Sequence, residues 1–226
     1  MSLVIYDTLE QGSEQWLAAR CGLVTASVVG KLITPKLQVA DNETSRGLVE
    51  ALVAERITGH VEYVYPSRAM ERGTLDEPYS RQMYADSHGP VTEIGFATNT
   101  FGGHTLGASP DGLCGLDGGI ESKSRDPKIQ LRTILLNKVP SENMAQVQAC
   151  IMTLERDWWD YLSYAGGWPL HVIRVYPDPL WQAAIVNALD AFEENASRME
   201  AAYRAAVGDA PIAPRIDHFA DIEIEL

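Results

Sequence analysis

At 226 residues, with 46% hydrophobic and 22% charged side chains, the chain has the size and balance of one globular domain, 1–226, rather than a disordered or low-complexity protein. Eighteen Lys and Arg against 31 Asp and Glu leave a net charge of −13, which argues against a broad basic nucleic-acid surface; any phosphate site has to be local and assisted by cations. The absence of an ~18-residue apolar run argues against a membrane span, and three scattered cysteines without a CxxC pair argue against a disulfide framework, a zinc site or an iron–sulfur cluster.

Taken in chain order, SEQWLAAR suggests a helical turn, and Ser27 caps a short helix through Val28, Val29, Leu32 and Ile33. Asn42 or Thr44 caps the next helix, where Leu48, Leu52, Val53 and Ile57 keep helical spacing up to Gly59. A third helix is predicted from Arg68 to Ser87, with Met70, Tyr79, Met83 and Tyr84 facing inward. The period then changes to two. VTEIGFAT (91–98) and HTLGAS (104–109) read as strands joined by a Gly-Gly turn, and GIESKS as a further strand after the turn at Asp117. SENMAQVQACIMTLER is helical, with Met144, Val147, Ile151 and Leu154 on one face. DWWDYLSYAG and LHVIRVY are aromatic and β-branched strands, in which Trp158 and Trp159 read as core rather than a base-stacking pair. A long helix, Pro179 to Val207, buries Trp181, Ile185, Ala188, Leu189, Phe192, Met199 and Tyr203. An acidic tail, DHFADIEIEL, closes the chain. This order predicts an α/β domain with a central mixed β-sheet flanked by helices. The N-terminus lacks the basic start and apolar stretch of a signal peptide, so a cytoplasmic protein is expected.

The chemistry concentrates in SPDGLCGLDGGIESKS (109–124). On a strand Glu121 and Lys123 project from the same face, while Ser122 points to the other side. If the Ser109-Pro110-Asp111-Gly112 bend lies over that face, Asp111 meets Glu121. Two carboxylates so placed repel each other unless a cation lies between them. Hard oxygen ligands select Mg²⁺, with Mn²⁺ as a substitute. A lysine beside them suits phosphodiester hydrolysis, since it orients water and stabilises developing negative charge. Each element alone has an ordinary reading, as turn chemistry or as a solvated strand face. The five histidines include no pair at ligand spacing, which argues against a histidine metal site.

Other segments supply context. Trp16 with LAARCGLVTAS, then Gly73-Thr74-Leu75-Asp76-Glu77, SPDGLC, Glu121-Ser122-Lys123 and finally MAQVQ (144–148) occur in that order. Together they resemble the phage lambda exonuclease family of the PD-(D/E)xK, restriction-endonuclease-like nuclease superfamily, over roughly residues 10–175. The resemblance implies that Asp111 and Glu121 ligate metal directly, with the Ser122 backbone carbonyl completing a site. Lys123 would hold the attacking water, Glu77 would help place two Mg²⁺ ions, and Gln146 would be the active-site glutamine. Arg20, Ser27 and Ser109 match a pocket for a terminal 5′-phosphate, with Thr25 as an added donor; the fork of an arginine and hydroxyl donors suit a phosphate dianion. Ser122 stands where many members carry an apolar residue, and Cys150 stands where many superfamily members have tyrosine.

The activity implied is a processive 5′ to 3′ exonuclease on double-stranded DNA ends, leaving 3′ overhangs for recombination. A ring-shaped homotrimer, a single-strand annealing recombinase as partner, and a phage or prophage origin in a bacterial host are implied in the same way. The alternatives are a structure-selective or restriction-type endonuclease of the same superfamily and a non-catalytic DNA-end-binding module.

Overall fold

In the computed structural model, which describes residues 2–62 and 64–216, the described elements number sixteen, one of them a buried central helix. The acidic tail lies outside the described residues. Strand β1 (Val4–Tyr6) is followed by helix α1 (Glu14–Arg20), strand β2 (Val24–Thr25) and helix α2 (Ala26–Val29), which runs into a 3-10 turn. Helices α3 (Glu43–Thr58) and α4 (Arg68–His88) precede strands β3 (Phe96–Phe101), β4 (His104–Ala108), β5 (Gly112–Cys114) and β6 (Gly118–Ser124). Helices α5 (Pro127–Leu136) and α6 (Ser141–Leu154), strands β7 (Trp158–Tyr164) and β8 (His171–Val175), and helix α7 (Pro179–Val207) complete the chain.

The strands form two four-stranded mixed sheets, in orders β1-β3-β4-β2 and β5-β6-β7-β8. The parallel pairs are β2 with β4 and β6 with β7. The chain passes from one sheet to the other at Ser109, Pro110 and Asp111, between β4 and β5. Asp111 therefore stands at a junction that neither ladder holds.

Helix α6 lies at the centre because almost its whole circumference is apolar or small. Ala145, Val147, Ala149, Cys150, Ile151 and Leu154 are buried, and it packs against both sheets, α2 and α7. Close packing of β6 on β7 requires glycine at the start of β6, since a Cβ at Gly119 would stand 2.3 Å from the Trp159 ring. Trp159 is fully buried, and Trp158 lies under the Arg174 guanidinium. The Asn42 cap is present with Ser45 as its reciprocal partner, so α3 begins where the sequence places it.

Several expectations are corrected. Residues 91–95 are not strand apart from a single bridge at Thr92 to Leu113, and β3 continues to the Gly102-Gly103 turn instead. Of the four residues expected to face inward on α4, Tyr84 is buried while Met70, Tyr79 and Met83 are exposed. The buried face of α4 is instead built from Ser80 and Tyr84, with the Ser80 hydroxyl 2.6 Å from that of Ser122. That pair accommodates the polar residue on β6. Thr25, not Ser27, holds the N-cap position of α2, and Ser27 sits in its first turn. On α7 the buried stripe ends at Ala196, leaving Tyr203 exposed. β1, β2, β5 and α5 are not among the elements expected from the sequence. Asp126-Pro127 at the start of α5 was the available signal, since proline favours the first helical position.

Candidate active site

Between α1, α2, α4 and β6 lies a cleft of about 450 Å³, and every predicted site residue lines it. Two groups stand out in its lining: Arg20, Thr25, Ser27 and Ser109, linked to one another directly or through Trp16, and Glu77, Asp111, Glu121, Ser122 and Lys123; Gln146 lines it from α6.

The β6 alternation places Glu121 and Lys123 together as expected, with Lys123 Nζ 2.6 Å from Glu121 Oε1. Glu121 is 1% exposed, and its second oxygen is buried with no hydrogen-bond partner among the described residues. Asp111 reaches across from the sheet junction, and its Oδ2 accepts from the Ser122 N–H at 2.6 Å. Burial, followed by the Glu121 and Glu77 charges, pushes the Asp111 carboxyl well above its usual range. Burial also raises Glu77, with Arg81 opposing and Glu121 adding to the shift. Burial by itself would lower the Lys123 ammonium, but Glu121 and Asp111 outweigh it and its pKa is raised. Lys123 is thus held charged, as a hydrogen-bond donor against a carboxylate.

Three carboxylates here, Glu77, Asp111 and Glu121, meet two cations, Lys123 and, beside the cleft, Arg81. The donor set suits a hard divalent cation: one buried carboxylate oxygen is orphaned, and a second carboxylate is destabilised in its charged form. No three His, Cys, Asp or Glu side chains among the described residues converge as a metal site by themselves. Any ion here would therefore draw on Asp111, Glu121 and a main-chain oxygen.

A pH dependence follows. An Asp111 carboxyl raised above its ordinary 3.8 binds its proton more tightly when folded, so the metal-free protein loses stability as pH rises from about 4 through the raised value. Asp111→Asn removes that loss. Without metal at pH 8 the variant should melt above the parent. The difference should vanish near pH 4, and Mg²⁺ should raise the melting temperature of the parent alone.

In the other group, the Arg20 guanidinium stacks on the Trp16 ring at 4.1 Å and donates to Thr25 Oγ1 at 3.4 Å. Thr25 and Ser27 hydroxyls lie 3.1 Å apart, and Trp16 Nε1 donates to Ser109 Oγ at 3.0 Å. Glu55 and Arg56 of α3 hold the loop that follows Arg20: Gly22 N–H donates to Glu55 at 2.7 Å, and Arg56 donates to the Gly22 carbonyl at 2.8 Å. Gly22 has φ +67°, and a Cβ there would meet Arg56 at 2.3 Å, so glycine is needed for both reasons. Cys150, where superfamily members carry tyrosine, is fully buried in α6.

One residue near the site was missed. Arg81, one helical turn beyond Glu77, donates to the Asp111 carbonyl at 2.7 Å and lies between Glu77 and Glu93.

Mixed sheets flanked by helices, with Asp111 at the sheet junction, Glu121 and Lys123 on β6 and Glu77 on the neighbouring helix α4, have the fold of PD-(D/E)xK-type nucleases. The YqaJ-like viral recombinase domain matches residues 15–156. The chain belongs to that family, the lambda exonuclease family, and is a deoxyribonuclease. Among solved structures it is similar to the alkaline exonuclease LHK-Exo from Laribacter hongkongensis, at 32% identity and a TM-score of 0.76, over 86% of this chain and 98% of that one. The same enzyme in complex with dAMP aligns at 31% identity, with the same TM-score and coverage. A phage-related exonuclease from Haemophilus somnus 129PT shares the fold alone, at 10% identity and a TM-score of 0.60, over 80% of this chain and 96% of that one. No curated protein matches the sequence.

Proposed function

We propose that this deoxyribonuclease is an end-dependent, Mg²⁺-requiring exonuclease that digests double-stranded DNA processively from the 5′ end, releasing mononucleotides and leaving 3′ overhangs for annealing-based recombination. The observation that carries the reading is one cleft lined both by an arginine–hydroxyl group and by the Asp111, Glu121, Lys123 set. A terminal phosphate held at the first would present the next phosphodiester to the second. The similarity to LHK-Exo, an alkaline exonuclease also solved in complex with dAMP, supports an exonuclease acting on DNA.

The chain's own residues divide the work. Arg20, Thr25 and Ser27 take the terminal phosphate through charge-assisted hydrogen bonds, and Trp16 fixes the plane of Arg20 and the Ser109 hydroxyl. Asp111, Glu121 and the Ser122 carbonyl would hold the divalent cation, with Glu77 near a second. When bound, such ions supply charge to the scissile phosphate and acidify water. Lys123, charged and leaning on Glu121, orients the attacking water and donates toward the developing negative charge. Gln146 completes the wall of the cleft from α6.

A ring-shaped homotrimer around the duplex is part of the same proposal, because enclosure would retain DNA despite a net charge of −13. A single-strand annealing recombinase is the proposed partner, and a bacterial cytoplasm harbouring phage or prophage the proposed setting. No described helix is long and apolar enough to cross a membrane.

The test compares linear duplex, labelled at either end, with a covalently closed circle in Mg²⁺. Early loss of the 5′ label from the linear DNA with the circle intact is the expected result. Cleavage of the circle would favour the endonuclease alternative, and retention of DNA without cleavage would favour an end-binding module.

A further inference from the structure

Asp111 sits where the chain crosses between sheets, so no ladder of backbone hydrogen bonds fixes it. It is pinned from two sides. Its carboxylate accepts from Ser122 N–H of β6 at 2.6 Å, and its main-chain carbonyl accepts from Arg81 Nη1 of α4 at 2.7 Å. The same nitrogen lies 3.3 Å from Glu77 Oε1, one helical turn earlier, and 3.0 Å from Glu93 Oε2. The Arg81 side chain is 15% exposed, whereas that of Glu93 is 69% exposed. One guanidinium therefore joins the helix that carries Glu77 to the turn that carries Asp111, with an outer carboxylate holding it from the solvent side.

We propose that Arg81 is a positioning residue for the metal-binding edge of the cleft, fixing the Asp111 turn against α4 and keeping Glu77 beside it until a divalent cation arrives. Glu93 then keeps the guanidinium in place when Glu77 turns to the ion. All three contacts converge on Nη1, the far end of the side chain, so a shorter lysine that keeps the charge would lose reach rather than donors. This role rests on the metal-dependent reading of the cleft given above.

The test uses the full chain as wild type, Arg81→Gln and Arg81→Lys. Three measurements are made: melting in EDTA, the calorimetric binding isotherm of Mn²⁺ alone, and single-turnover cleavage of linear duplex at saturating metal. Arg81→Gln should weaken Mn²⁺ binding by about 10–100-fold, the range found when residues that orient metal ligands are removed. It should also slow the single-turnover rate while leaving the DNA concentration for half-saturation unchanged. Arg81→Lys should recover part of the Mn²⁺ affinity, and it carries the test if Arg81→Gln does not fold. Should the variant isotherms superimpose on the wild type's, with only the melting temperature lowered, Arg81 is a structural tether and the proposal fails while the nuclease reading stands. A wild type that takes up no Mn²⁺ and leaves linear DNA intact overturns both.

Discussion

Glu121→Gln should reduce release of nucleotides from linear duplex by roughly a thousandfold or more, because loss of a proposed metal ligand would forfeit several kcal/mol of charge stabilisation, at about 1.4 kcal/mol per decade. Gln keeps the volume and one acceptor for Lys123, whose ammonium lies 2.6 Å from Glu121 Oε1. The fold should survive, since the substitution takes a negative charge out of a buried site with an orphaned oxygen. Lys123→Ala should cost about 10²–10³-fold, the usual range for removing a donor aimed at developing negative charge. The double variant should be scarcely worse than Glu121→Gln, because residues that act as a unit are not additive. Initial rates on labelled DNA, beside melting curves that show folded protein, are the measurement. A Glu121→Gln enzyme within tenfold of the parent would mean that the chemistry lies elsewhere in the cleft.

Removal of Arg20 should act differently. Arg20→Ala should lower cleavage of 5′-phosphorylated ends by about 10–150-fold, the equivalent of ~1.5–3 kcal/mol for hydrogen bonds to a charged group. Cleavage of 5′-hydroxyl ends should change little, so the preference for phosphate collapses toward unity. Arg20→Lys should recover only part of it, because the guanidinium stacks on Trp16 at 4.1 Å and a lysine can neither stack in that way nor present a fork. The readout is the ratio of initial rates on the two kinds of end. Equal losses on both would reassign Arg20 to the fold, or to a contact with the DNA backbone away from the terminus.

The two groups in the cleft were legible in the sequence to different degrees. Glu121 and Lys123 were readable because strand alternation is local: two residues apart means one face, and nothing distant has to be known. The Asn42 cap of α3 and the length of α7 were readable for the same reason. Arg20, Thr25, Ser27 and Ser109 were named through resemblance, since each taken singly could be an ordinary surface or capping residue. The orientation of α4 was misjudged because its inner face is polar. Ser80 there meets Ser122 and Arg81 meets the Asp111 carbonyl, so the hydrophobic pattern pointed outward. Arg81 itself carried no signal, because an arginine one turn after a glutamate reads as a solvated helical pair.

Sequence alone thus determined the α/β class, the helix α6 with one apolar face and the Asp-Glu-Lys set, all of which depend on periods of two or 3.6 residues and on short-range turn chemistry. Tertiary structure alone decided that the strands divide into two sheets and that the chain crosses between them at Asp111. It also decided that α1, α2, α4, β6 and α6 meet around one cleft. Such contacts join residues as far apart as Trp16 and Ser109, and their geometry is fixed by how helices and sheets pack rather than by any local pattern along the chain.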